Sequence, residues 1–371
     1  MRVAVNTRLL IENELEGIGR FSYEILKKIC EKNPNIKFDF IFDRPFSKKF
    51  IFNENVTGHI LSPQTRHPFL WYYWFEIKIP KLLKKINPDV FLSMDGFISS
   101  SIKNKQIAVI HDINFEHYPE NLPFFHRKYY QYFFPKYAKK AKAIITVSNY
   151  SKQDIVKTYG VENNKVHVIY NGVSNTFTTI NEREKIKIKD QYTSGQNFFI
   201  FIGSIHKRKN ISNLLKAFNL YKLNFQSQTK LLIVGKKRWW SKEMKEAFKN
   251  SNFKNDILFT GYLTETNLPK VLASSLGLCF PSLFEGFGLP IIEAMKCGVP
   301  VITSNTSSMP EICGDAGIKI DPYNIHEISN AMSKIESNQK FREQLIKLGL
   351  SRSEIFNWET ASDQLLEILK N

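Results

Sequence analysis

The sequence predicts an α/β protein built from two Rossmann-like domains, each a parallel sheet covered by helices. Three observations carry this. Short apolar or β-branched runs alternate with longer helical patterns along nearly the whole chain. The alternation stops once, in the polar and charged stretch 174–195, and then restarts. The 371 residues suffice for two domains of ordinary size, and 43% hydrophobic with 23% charged residues is a globular composition.

Composition narrows the functional classes. None of the four cysteines (Cys30, Cys279, Cys297, Cys313) forms C-x-x-C, and the eight histidines do not join them in metal-ligand spacing. Free thiols in a reducing compartment are expected. The N-terminus enters a strand pattern directly at Arg2, without the apolar stretch of a signal peptide. The most apolar windows, such as Leu272 to Phe284, fall short of the roughly 20 residues that span a bilayer. These features predict a cytoplasmic protein. Of the readings of the +17 net charge, nucleic acid lacks any accompanying motif. An anionic membrane surface, and a lysine-rich composition bias on solvated faces, both stay open.

In order, Arg2 to Asn6 reads as a buried strand, followed by a polar loop ending in Gly17-Ile18-Gly19-Arg20 and a helix to about Glu31. As a dinucleotide signature this is weak: the loop is long and Ser22 replaces the third glycine. Ile36 to Asp43 is a second strand. Phe69 to Ile86 is aromatic first and basic second, which suits either a core helix with a lysine-rich outer face or a membrane-surface element. Pro88 to Ser93 and Ile107 to Ile110 are strands, the latter ending at His111-Asp112. A histidine at the C-terminal end of a parallel strand lies where open sheets bind ligands, and Asp112 reads as a loop or capping residue. Arg127 to Lys142 is a second aromatic and basic helix, expected to break near Pro135. Ala143 to Ser148 is a strand, Ser148 to Ser151 opens a helix with a hydroxyl cap, and Val166 to Val173 closes the first half.

The second half restarts with the strand Asn197 to Gly203, then Lys207-Arg208-Lys209-Asn210 and a helix from Ile211 to Tyr221. Three cations before a helix N-terminus favour an anion, although a solvated basic turn would look the same. Lys230 to Gly235 and Asp256 to Tyr262 hold further strands. The key stretch follows the apolar run Leu276 to Phe280: Phe284-Glu285-Gly286-Phe287-Gly288-Leu289-Pro290-Ile291-Ile292-Glu293-Ala294. Two glycines and then Pro290 predict a strand, a turn and a helix starting near Leu289, whose exposed N–H groups suit phosphate. Glu285 on the turn and Glu293 about one helical turn later can each accept hydrogen bonds from a vicinal diol. Phosphate on amides and hydroxyls on carboxylates together suit a nucleotide sugar. Val299 to Ser304, a helix from Met309, and an amphipathic helix Trp358 to Leu369 complete the chain.

Glu285, seven residues, then Glu293, set in F-E-G-F-G-L-P-x-x-E-A, resembles the E-x7-E signature of family 4 nucleotide-sugar glycosyltransferases. The likeness extends over nearly the whole chain. It implies the GT-B architecture, with two parallel sheets facing an interdomain cleft, donor residues mainly in the second half and acceptor residues in the first. It implies that Glu285 approaches the donor sugar, Glu293 holds the ribose, and Gly286, Phe287, Gly288 and Leu289 line the donor site. Gly203 to Asn210 resembles the diphosphate loop, with Lys209 matching its lysine. Ser204 stands where many members carry arginine, so Arg208 is the candidate replacement. Gly17 and Gly19 match a glycine-rich loop near the diphosphate. His111 matches a histidine facing the donor sugar, and Tyr262 borders the base.

The expected domains are 1–180, 190–355 and a C-terminal helix 356–371 returning to the first domain. The implied reaction moves a sugar, with GDP-mannose the leaning donor, to a hydroxyl of a glycan or lipid-linked acceptor with retention of configuration. The motif forms resemble bacterial enzymes of surface-polysaccharide synthesis. No D-x-D acidic trio is present, and no metal or other cofactor is expected. The membrane reading adds peripheral attachment to the inner face of the plasma membrane. Two rivals are a nucleotide-sugar epimerase on the same architecture and a non-catalytic basic protein binding membrane or nucleic acid.

Overall fold

The computed structural model describes residues 1–12, 15, 17–236 and 240–371. The chain forms two compact units: 1–172 with 357–371, and 173–356.

The first unit holds seven strands: β1 (Arg2–Asn6), β2 (Lys37–Phe42), β3 (Val56–Ile60), β4 (Val90–Ser93), β5 (Lys105–Val109), β6 (Ala143–Thr146) and β7 (Val166–Val168). They lie in the order β3-β2-β1-β4-β5-β6-β7, and every pair is parallel. The second unit holds six: β8 (Phe198–Ile202), β9 (Lys230–Val234), β10 (Ile257–Gly261), β11 (Gly277–Phe280), β12 (Val301–Ser304) and β13 (Gly317–Ile320). Their order is β10-β9-β8-β11-β12-β13, again all parallel. Central strands such as β8, five apolar residues buried on both faces, read as continuous hydrophobic runs because helices cover both sides. Strand order reverses at β1/β4 and at β8/β11. Ligands of open parallel sheets bind outside the strand C-termini at such points.

The structure corrects several expectations. The stretch 174–195 is not a linker: it contains the helix Glu182–Thr193, in which only Thr193 is buried, so its polarity reflects a solvated helix. The chain passes to the second unit at 172/173, and residues 173–180, assigned on sequence to the first domain, belong to the second. There Val173 N–H donates to the Phe356 carbonyl. The helix Phe124–Lys140 runs unbroken through Pro135. Burial of Phe134, Tyr137 and Ala138 offsets the roughly 3 kcal/mol an interior proline costs. Between Pro68 and Ile86 a single π-type turn, Trp74–Lys78, joins two α-helical pieces, and Trp71 and Trp74 face the core. Their indole N–H groups donate to the Thr65 and Leu61 carbonyls, so the tryptophans are interior residues and not interfacial ones. The edge strand β3 (V-T-G-H-I) escaped the sequence reading because it is half exposed and interrupted by glycine.

The last helix, Trp358–Lys370, packs against the first, Gly17–Lys32, inside the first unit. Phe21 meets Trp358 edge-on at 6.0 Å, Lys32 pairs with Glu359 at 2.7 Å and with Asp363 at 3.0 Å.

Candidate active site

In the second unit the two loops at the reversal point carry the charged residues. After β8 the chain turns through a 3-10 segment, Lys207–Lys209, capped by the His206 ring, which accepts from Arg208 N–H at 3.2 Å. This turn aims Lys209 and Arg208 at the loop after β11. Lys209 Nζ lies 2.7 Å from Glu285 Oε1, and Arg208 Nη1 lies 3.0 Å from Glu285 Oε2. Arg208 also donates to the Phe284 carbonyl, and its own carbonyl accepts from Leu283 N–H at 2.8 Å. The two loops are therefore latched by main chain as well as by charge. Lys209 Nζ sits 4.9 Å from the centre of the Phe280 ring, which shields it from water.

Glu285 is buried, and burial alone would raise its pKa. The charges of Arg208 and Lys209, with hydrogen bonds, outweigh this and pull it down to about 2. It is ionised at every physiological pH. Gly288 adopts φ +100°, open to glycine, and starts the helix Leu289–Lys296 where the sequence placed it. Glu293 lies half-buried on that helix, one turn in. Phe287 is buried edge-on to Phe356 at 5.7 Å. Tyr262, just beyond β10, is exposed, with Lys236 Nζ 5.3 Å from its ring centre.

Sequence reasoning missed what holds this turn: hydroxyls from the end of β12 and the segment after it. Thr303 donates to the Phe280 carbonyl (3.1 Å), Ser304 to Ser282 (2.6 Å) and Thr306 to Leu283 (3.1 Å). Ser308 donates to the Glu285 and Phe287 carbonyls (2.8 and 3.0 Å), while Ser307 accepts from Glu285 N–H at 3.0 Å. The run T-S-N-T-S-S directly after a buried strand was the available signal.

Family models match both units of the chain. The model for glycosyl transferases group 1 matches residues 182–352, and the glycosyltransferase family 4 model matches 17–177. The chain belongs to the family 4 type of GT-B glycosyltransferases. It is 26% identical over 372 residues to O-antigen chain mannosyltransferase B of Escherichia coli, covering 97% of both chains. Among solved structures it is similar to sucrose-phosphate synthase from Thermosynechococcus elongatus (TM-score 0.80, 15% identity, 100% of this chain and 98% of that one). It is also similar to Anabaena Alr3699/HepE in complex with UDP and glucose (TM-score 0.77, 17% identity, 100% and 99%).

The glycosyltransferase's first unit has a second charged cluster, at the β1/β4 reversal, that sequence reasoning also missed. Arg8, two residues beyond β1, is buried with its Nε 2.5 Å from Asp95 Oδ2 and its Nη1 3.0 Å from Thr65 Oγ1. Its guanidinium lies 4.3 Å from the Phe97 ring centre. Asn6 donates to the other Asp95 oxygen at 2.8 Å. Asp43 accepts from Arg44 at 2.6 Å and from the Thr65 hydroxyl at 2.6 Å. A cavity of about 240 Å³ opens among Arg8, Arg44, Asp95, Trp71, Phe97 and Tyr130. Burial pushes the Tyr130 phenol up to about 12, so it stays a neutral donor.

His111 follows β5 in the same unit. One ring nitrogen lies 3.2 Å from the Met94 carbonyl, and Phe21 packs edge-on at 4.9 Å. Burial lowers its pKa against the opposing pull of the Met94 carbonyl, Asp112 and Asp95, so the imidazole is neutral. The Asp112 side chain caps its own turn, accepting from Asn114 N–H at 3.0 Å. Gly17 and Gly19 form the first turn of the helix Gly17–Lys32, and a Cβ on Gly19 would come within 2.9 Å of the Leu9 carbonyl oxygen. Among the described residues no group of three or more His, Cys, Asp or Glu is placed to hold a metal ion. The four cysteines are buried free thiols.

Proposed function

We propose that this glycosyltransferase moves a sugar from a nucleotide sugar to a hydroxyl of a glycan or lipid-linked acceptor, with retention of configuration. The observation that carries this reading is the cluster of Lys209, Arg208 and Glu285 at the β8/β11 reversal, one turn before Glu293. Two cations face one carboxylate there, beside the N–H groups of the helix Leu289–Lys296, a setting suited to a diphosphate. As the glycosidic bond breaks, charge grows on the departing diphosphate, and fixed cations and amides stabilise it without reorganising. Tyr262 borders the base. A carboxylate with pKa about 2 cannot serve as a general acid. Glu285 instead accepts sugar hydroxyls and opposes the positive charge developing on the sugar. Glu293 holds the ribose diol. His111, neutral, offers a ring nitrogen to a sugar hydroxyl.

The Escherichia coli relative, named a mannosyltransferase, supports GDP-mannose as the leaning donor. The cavity beside Arg8, Asp95 and Tyr130 supports an acceptor site in the first unit. Aromatic faces, carboxylates and a fixed guanidinium are the groups that hold sugar hydroxyls.

Reversible attachment to an anionic membrane, where a lipid-linked acceptor resides, forms part of the same reading. No helix among the described residues is long and apolar enough to cross a membrane. Phe69, Tyr72, Tyr73 and Ile77 are exposed on one helical segment, with Lys81, Lys84 and Lys85 on the same segment. Phe125, Lys128, Tyr132, Lys136 and Lys139 form an exposed stripe at helical spacing on the other. Incubation with GDP-mannose or UDP-sugars, with and without glycan acceptor in excess EDTA, tests the reading. Acceptor-dependent product of unchanged anomeric configuration supports it; altered free sugar without acceptor would instead indicate an epimerase.

A further inference from the structure

A large cavity of the first unit lies away from the Arg8 cluster. It is an open recess of about 1100 Å³ beside the N-terminal ends of β5 and β7 and the entry to β6. The strand C-termini that carry His111 and Asp95 are at the opposite end of the sheet. Six lysines line it, Lys103, Lys105, Lys139, Lys140, Lys142 and Lys165, with Glu162 the one acidic residue among the described lining residues. Three of them are satisfied by main-chain carbonyls and not by carboxylates: Lys105 by Leu369 (3.3 Å), Lys165 by Lys139 (2.6 Å) and Lys140 by Ser100. Carbonyls satisfy the hydrogen bonds without bringing a full counter-charge; Glu76 pulls on Lys140 and Glu162 on Lys165, two carboxylates against six lysines among the described residues. Burial, with Lys142 adding repulsion, lowers the pKa of Lys105, and burial lowers those of Lys140 and Lys165. Gathering like charges in a recess is costly unless an anion completes it.

We propose that this recess is a binding site for the phosphate groups of anionic membrane lipids. Lysines, as strongly hydrated point charges on flexible stems, suit mobile headgroups better than a single shaped ligand. The exposed stripe Phe125, Lys128, Tyr132, Lys136 and Lys139 runs along the helix Phe124–Lys140 and ends in the recess, since Lys139 belongs to both. A helix of this length extends about 25 Å. One surface thus carries aromatic residues that enter the headgroup layer and, at its far end, cations that meet phosphate. The site rests on the membrane attachment proposed above.

The test is co-sedimentation of the full-length protein with neutral phosphatidylcholine vesicles and with vesicles containing phosphatidylglycerol. Lys103→Gln/Lys142→Gln alters two exposed recess lysines and relieves repulsion, so folding should be kept. It should weaken binding to anionic vesicles about thirtyfold, at roughly 1 kcal/mol per lysine, and leave binding to neutral vesicles unchanged. Phe69→Ser/Phe125→Ser should weaken binding to both vesicle types while preserving the anionic preference. Undiminished anionic binding by the lysine variant would overturn the recess while the aromatic variant still judges membrane attachment on its own. A lysine variant that loses affinity for soluble tripolyphosphate but not for anionic vesicles would assign the recess to a free phosphate and overturn the lipid source. Absence of vesicle binding by the unaltered protein would overturn both the attachment and the recess.

Discussion

The two units place a buried ion pair at the same topological position, the reversal point of a parallel sheet, and load it differently. At β8/β11 two cations, Lys209 and Arg208, share one carboxylate, Glu285. At β1/β4 one guanidinium, Arg8, meets Asp95, with Asn6, Thr65 and the Phe97 ring around it. The first arrangement sets two cations on one carboxylate beside a helix N-terminus, an environment suited to a diphosphate. The second is balanced and lined by aromatic rings, the environment of sugar hydroxyls. On the proposed reading, one fold used twice suits the charged part of the donor in one unit and an acceptor in the other by changing the groups placed at equivalent sites.

The largest effect should come from breaking the balanced pair. Asp95→Ala leaves Arg8 buried without its carboxylate, which costs about 3–5 kcal/mol of stability. Denaturant unfolding should show this loss, whereas Asp95→Ala should leave nucleoside diphosphate affinity of the folded protein unchanged. A loss of diphosphate affinity would erase the distinction between the two clusters.

Lys209→Ala should act in the opposite way. Arg208 still compensates Glu285, so stability should change little, while kcat falls about 10²–10³-fold, the usual cost of removing one fixed group that meets developing negative charge. Equal losses of stability in Lys209→Ala and Asp95→Ala would mean that both clusters are merely structural.

A smaller effect is expected at Glu293. A ribose held by Glu293, as proposed, would change little during reaction, so Glu293→Gln should raise the donor KM about tenfold, the worth of one charge-assisted hydrogen bond, with kcat less affected. A fall confined to kcat would move Glu293 to the reacting sugar.

The smallest effect concerns pH. The His111 pKa is depressed below 6.5 by burial. Its contribution to stability is therefore complete above about 6.5 and lost as pH falls through the lower folded-state value. Between pH 7 and 6.5 unfolding free energy should scarcely change on this account, and His111→Asn should flatten the decline below that range. A His111-dependent rise in stability on acidification would show a protonated imidazole and contradict the neutral role.

Legibility in the sequence followed contiguity. Glu285, Gly288 and Glu293 lie within nine residues, and Arg208 and Lys209 are adjacent, so local spacing drew attention to them and the resemblance to family 4 glycosyltransferases decided their reading. Arg8, Arg44, Thr65, Asp95 and Tyr130 come from five separate segments, each bland by itself, and only the sheet assembles them. The parallel sheets were readable from their continuous apolar strands. Trp71 and Trp74 left a core and an interfacial reading open because a tryptophan is satisfied in the core only where a carbonyl meets it, and sequence cannot show Thr65 or Leu61 waiting there. The helix Phe124–Lys140 misled because a proline's local penalty is visible in sequence and the packing that overrides it is not.

The central claim is that the cations at β8/β11 grip the diphosphate while Glu285 acts on the sugar. Titrating nucleoside diphosphate against Lys209→Ala and Glu285→Gln, with kcat measured on the same preparations, tests it most directly. Lys209→Ala should lose diphosphate affinity together with rate. Glu285→Gln frees two cations from their carboxylate, so it should bind diphosphate at least as tightly as the unaltered protein while kcat falls. Loss of diphosphate binding in Glu285→Gln, with binding intact in Lys209→Ala, would contradict the account.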